Sequence, residues 1–133
     1  MGIDIYVKKD GEDIYFEGLG SGTNFYEMRL AIKYSLENGV QGSRFPILQR
    51  TPDYKAIFSM EQAIALKEEV ETIMREKDNL QEDYKDVPYH SFPGEPPTRD
   101  FNFPREAIID RLEVILKGCE IAIVSGGEFG WFY

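Results

Sequence analysis

The chain is short of the residues that special chemistry usually needs. Its 133 residues include one cysteine, Cys119, one histidine, His90, and one tryptophan, Trp131. A lone cysteine excludes an internal disulfide, and its place in an apolar-periodic segment predicts a buried, inert thiol. A lone histidine cannot build a multi-histidine metal site, and any histidine triad would have to form around His90. That residue stands in a proline-rich stretch, and Ser91 beside it is a sequence neighbour only, so His90 reads as a loop residue. No apolar run approaches the roughly 20 residues that span a bilayer. Basic residues are also scarce: 15 Lys and Arg against 24 Asp and Glu give a formal net charge of −9. Nucleic acid recognition needs a basic footprint, so that ligand class is set aside. The opening "MGIDIYVKKDGED" lacks the basic and then apolar order of a secretory signal, and Tyr6 stands where a myristoylation site requires Ser or Thr. These absences lead us to expect a cytoplasmic protein with no membrane partner, cofactor or metal.

What is present suits a folded chain. Hydrophobic residues make up 42% and aromatics 14%, which is too rich for disorder, and the length fits one domain over 1–133 with one core. Ile3, Ile5 and Val7 alternate with Asp4, Tyr6 and Lys8, the period-two pattern of a strand buried on one face. Asp10-Gly11 then turns the chain into "IYFEGL", giving a hairpin. Phe25, Met28, Ile32 and Leu36 recur at helical spacing, so a helix is expected over about 24–38, with Thr23 or Asn24 as N-cap and Gly39 past its last turn.

In "GVQGSRFPILQR", residues 39–50, Gly42 and Ser43 make a turn, and Pro46 restricts Phe45 to extended geometry leading into "IL" as a strand. "YKAIF" pairs as another short strand across Thr51-Pro52-Asp53. Ser59 and Gln62 form a capping box, and Ala63, Leu66, Val70, Ile73 and Leu80 hold one apolar stripe through a helix of about 60–82. Five of the seven prolines fall between Asp83 and Pro104, so about 84–104 is expected to be an irregular surface lid or packed loop. Tyr89, Phe92, Phe101 and Phe103 favour packing there. "CEIAIV" alternates like a strand but continues the series Ile108, Leu112, Ile115, Cys119 and Ala122, so we assign a helix over about 104–125. Ser125-Gly126-Gly127 ends it, and "EFGWFY" is a last strand with Phe129, Trp131 and Tyr133 on one face. The fold class expected is α+β, a small antiparallel sheet with about three helices.

Few constellations carry chemistry. "GLGSGT" at 18–23 lies between a strand and a helix, where a phosphate loop belongs, but a dinucleotide fingerprint needs glycine at Thr23 and a P-loop needs Gly-Lys-Ser/Thr. It reads as an N-capping linker. Asp10, Glu12, Asp13 and Glu17 miss the calcium-loop spacing and form an acidic rim. Glu68, Glu69, Glu71, Glu76, Glu82 and Asp83, mixed with Lys67, Arg75 and Lys77, mark a solvated helix face.

The layout resembles a known family. "MGIDIYV", "NFYEMRLAI", the turn Gly42-Ser43-Arg44-Phe45-Pro46, "DYKAIFS" ending in Phe58-Ser59, "ALKEEVETI", and Arg111-Leu112 through Cys119 to "FGWFY" are similar in order to immunity proteins of bacterial polymorphic toxin systems, specifically immunity protein family seventy. Thr51-Pro52-Asp53 and Lys55 depart from the His-Ser-Asp and second acid expected there. The resemblance implies a non-enzymatic protein that binds and neutralises a cognate bacterial toxin. It brings no catalytic residues. The acidic field suits a basic toxin. The contact surface expected is the loop of Arg44, Asp53, Tyr54 and Lys55 with the hairpin acids Asp10, Glu12 and Asp13. Two alternatives stand beside it: a phosphate-ligand-binding protein or enzyme using 18–23, with Arg or Lys converging on a pocket beside Gly20, and a phage or housekeeping interaction module. Whether the protein is a monomer or a homodimer is left open.

Overall fold

The computed structural model describes residues 2–90 and 93–133. The chain is α+β. Strand β1 (Gly2–Lys9) and strand β2 (Glu12–Ser21) form the expected hairpin. Asp10 and Gly11 both adopt positive φ, 52° and 81°, which is the two-residue turn whose twist matches its strands. Helix α1 (Gly22–Leu36) follows without a linker. Its N-cap is Ser21, whose hydroxyl accepts the N–H of Asn24 at 3.0 Å, and not Thr23 or Asn24. The last residue of β2 already has the extended backbone of a cap, so the helix starts earlier than its apolar spacing indicates.

The segment "PILQR" is not a strand. It is a five-residue helix, α2 (Pro46–Arg50), and it raises the helix count among the described residues to four. Pro46 does hold Phe45 out of the helical region, but it then sits at N1, where its fixed φ starts a helix. Two of the free N–H groups of that helix, on Ile47 and Leu48, donate to the carboxylate of Glu69 at 3.1 and 2.9 Å. Strand β3 (Lys55–Phe58) lies where expected, and helix α3 (Met60–Arg75) starts where expected, at its complete Ser59–Gln62 capping box, but ends seven residues short of the expected 82. The helix stops at Arg75, and a 3-10 turn at Lys77–Asn79 carries Leu80 back into the core.

The proline-rich region is more regular than its composition suggests. Strand β4 (Asp83–Pro88) pairs antiparallel with strand β5 (Thr98–Asn102) as a separate two-stranded sheet. The prolines mark its end and its connection, and Tyr84 stacks on Phe101 at 4.7 Å across the pair. Tyr84 and Tyr89 tie it to α1 through Ser35 and Glu27. The packing expected of Phe92 lies outside the described residues.

Helix α4 (Arg105–Ser125) includes 119–124 and ends at Gly126 in the left-handed conformation. Strand β6 (Glu128–Phe132) then enters the main sheet between β1 and β3, giving the order β2-β1-β6-β3, antiparallel throughout. Ile3, Ile5, Val7, Phe58, Phe129 and Trp131 fill its inner face beneath the helices. Gly118 lets α4 approach closely, because a Cβ there would lie 2.8 Å from the Phe129 ring.

Candidate partner-binding surface

The turn at 42–46 is held from within. Glu37, at the end of α1, is buried, and its carboxylate accepts the N–H groups of Arg44 and Phe45 at 3.0 and 3.1 Å and the amide of Gln49 at 2.7 Å. Arg44 forks onto Glu76 with contacts of 2.9 and 2.5 Å and also donates to the Leu36 carbonyl. The hydrogen bond to Glu76 raises the Arg44 pKa and lowers that of Glu76. Glu69 and Glu76, read from sequence as a solvated face, therefore hold α2 and this turn in place. Arg44 belongs to that network and is set apart from the other residues expected at the interface.

Those others are themselves divided. Lys8 is level with Asp13 and Glu128, whereas Lys55 is level with Phe132 and Phe132 with Asp4. Asp10, Glu12 and Asp13 thus stand at one end of the main sheet, and Asp53, Tyr54 and Lys55 at the other. The sequence grouped them, and the fold places a strand's length between them.

Around Asp53 and Tyr54 the surface is concave. A cleft of about 550 Å³ opens between the start of α1, the loop before β3, the end of β6 and the β4–β5 connection. Its walls include Thr23, Tyr26, Asp53, Tyr54, Tyr89 and His90, together with Glu95, Arg99 and Tyr133. Tyr26 and Tyr89 meet edge to face at 5.0 Å. The Tyr26 hydroxyl accepts the His90 N–H at 2.7 Å, and the Tyr89 hydroxyl donates to Glu27 at 2.7 Å. Burial and the neighbouring Glu27 push the Tyr89 phenol up to about 12, so it stays a donor at any ordinary pH. Arg99 lies over the Tyr89 ring at 4.2 Å and 3.7 Å from Glu95. Tyr133 extends the β3–β6 ladder by donating its N–H to the Tyr54 carbonyl at 2.9 Å, and its ring rests on Gly22.

Beneath the loop, the half-buried Arg29 lies over Phe25 at 4.4 Å and donates to the Thr51 carbonyl at 2.5 Å. Burial lowers its pKa to about 10, opposed by Asp53. Trp131 donates its indole N–H to the Pro52 carbonyl at 2.8 Å. The backbone that presents Asp53 and Tyr54 is thus pinned from below while Asp53 stays half-buried and the Tyr54 ring outside. Tyr54 is 69% exposed, and Asp53 makes no hydrogen bond or ion pair with the described residues.

The outer face of the main sheet adjoins this cleft at β6. Tyr6 lies over Gly130, with its hydroxyl donating to Glu128 at 3.1 Å, and Phe132 meets both Tyr6 and Phe16 at about 6 Å. Ile57 and Phe16 remain about half exposed on that face.

The pocket expected beside Gly20 is filled. Arg111 lies against Gly20 and donates to the carbonyls of Leu19 and Ala107, and residues 18–21 are the end of a strand. Among the described residues no group of His, Cys, Asp and Glu is placed to hold a metal ion, and no helix is long and apolar enough to cross a membrane.

The sequence offers Asp53 and Tyr54 as interface candidates, and the fold places the other walls of the cleft around them. Tyr89 and Tyr133 were noticed only as packing aromatics and His90 only as a loop residue, and nothing local marks Tyr26, Glu95 or Arg99. Comparison with known proteins gives one finding: the family model described as Immunity protein 70 matches residues 5–100. No curated protein and no solved structure matches the chain.

Proposed function

The chain belongs to the Immunity protein 70 family, and on that premise we propose that it binds a cognate bacterial toxin in the cytoplasm and neutralises it by covering the toxin's active site or substrate surface. The family match over 5–100 is the observation that carries this reading, and it suggests a non-enzymatic role. The contact surface we assign is the cleft around Asp53 and Tyr54. Tyrosine and arginine are the side chains that most often anchor interfaces, and here tyrosines from four separate segments converge on one concave site. The anchors are supported from beneath, so little ordering cost is left to binding. The acidic field, including the hairpin acids, raises the encounter rate with a basic toxin.

The test is co-expression with the product of the adjacent upstream gene, scoring survival and co-purification. Rescue with a stable complex is expected. The Asp53→Asn, Tyr54→Ala pair should weaken that complex about 30-fold, the scale of one interface hot spot, with unfolding unchanged. A harmless neighbour that fails to bind would overturn the toxin reading. Unchanged affinity in the double variant would move the interface away from the cleft.

A further inference from the structure

Resting on the immunity reading, we infer that the cleft recognises a cationic side chain, a toxin arginine or lysine inserted among Tyr54, Tyr133 and Asp53. Aromatic faces carry the negative part of the ring quadrupole, and tyrosines converging with carboxylates make a cage for a cation. The protein already displays such a contact inside the cleft, where the Arg99 guanidinium lies over Tyr89 at 4.2 Å with Glu95 at 3.7 Å. That charge is matched, which leaves Asp53 as the acceptor facing the cleft. Asp53 makes no hydrogen bond or ion pair with the described residues, and Arg29 behind it is engaged with the Thr51 carbonyl and the Phe25 ring.

An anion is the competing occupant, since α1 begins at the cleft and Arg99 and His90 line it. Three observations weigh against it. Ser21 already accepts the Asn24 N–H, Tyr133 lays its ring on Gly22, and two carboxylates share the walls. A phosphate would meet the Asp53 carboxylate and an Arg99 already engaged by Glu95, whereas a guanidinium meets that carboxylate and two exposed rings.

The experiment needs no toxin. Isotope-labelled protein is titrated with N-acetyl-arginine methylamide, with the neutral citrulline analogue of the same shape, and with inorganic phosphate, while backbone amide resonances are followed. The arginine analogue should shift the amides of Thr23, Tyr54 and Tyr133 saturably and bind about fivefold tighter than citrulline, the scale of an exposed cation–π contact. Asp53→Asn, with an otherwise unchanged spectrum, should remove most of that preference. Equal binding of arginine and citrulline, no binding of either, or shifts at the same amides from phosphate alone would overturn the inference. Toxin rescue without arginine preference would retire the cage and leave immunity standing. Arginine preference without a toxin partner would do the reverse.

Discussion

The carboxylate of Glu37, at the end of α1, accepts the backbone N–H of Arg44 at 3.0 Å and so closes the loop between them. Phe45 and Gln49 donate to the same group, and the residue is almost wholly buried. Truncating it strands three donors, each a desolvation cost of its own. Glu37→Ala should therefore lower unfolding stability by about 3 kcal/mol in urea titrations. Arg44→Ala, which breaks a partly exposed ion pair with Glu76, should cost about 1 kcal/mol or less. Equal losses would mean that the Arg44 fork holds the turn as firmly as the Glu37 acceptor does.

Gly130 is required by contact, not by backbone conformation. A Cβ there would press on the carbonyl of Ala56, and its next neighbour would be the Tyr6 hydroxyl at 2.7 Å. The carbonyl belongs to the paired strand and cannot step aside cheaply. Gly130→Ala should cost about 2 kcal/mol, within the usual range for overpacking. Pairing it with Tyr6→Ala should recover little, since the backbone clash remains. Full recovery in the double variant would place the strain in the Tyr6 ring instead.

Cys119 is fully buried in α4, and burial pushes its thiol up to about 12. At pH 8 the native thiol stays protonated and enclosed, so a thiol reagent should label it only at the rate of unfolding. The same shift has a defined sign for stability. The unfolded thiol ionises near pH 9 while the folded one does not, so its contribution is complete below pH 9 and is lost as pH rises from 9 toward 12. Stability of the wild type should fall more steeply over that window than stability of Cys119→Ala. Parallel curves would show that the thiol ionises freely in the native state.

Local chemistry made much of this fold legible. The Asp10-Gly11 turn, the Ser59–Gln62 box and the apolar series from Ile108 to Ala122 each act within a few residues, and each element stands where its signal lies. Helix α2 stands where a strand is expected because its stabilising partner, Glu69, is 21 residues beyond Leu48. Strands β4 and β5 were hidden by prolines that mark their margins, while the Tyr84–Phe101 stack that joins them crosses 17 residues. The cleft is not legible in the sequence for the same reason. Asp53 and Tyr54 share a short loop, but Tyr26, Tyr89 and Tyr133 come from α1, the β4–β5 connection and the end of β6, and only the folded chain brings them together.

The separation of the hairpin acids from the cleft predicts two kinetic signatures in the toxin complex. Asp10, Glu12 and Asp13 are exposed at the far end of the sheet, with no ion pair among the described residues. Charges of that kind act through the long-range field and are screened by salt. Neutralising all three, as Asp10→Asn, Glu12→Gln and Asp13→Asn, should slow association about tenfold at low ionic strength, flatten its salt dependence and leave dissociation nearly unchanged. Tyr54→Ala should behave oppositely, with faster dissociation and almost the same association rate, because a packed anchor acts only after contact. Stopped-flow association at several salt concentrations and surface-based dissociation separate the two. Faster dissociation in the acid triple variant would put the hairpin inside the interface and make the bound surface span the whole sheet. A Tyr54 variant that changed only association would remove the cleft from the contact.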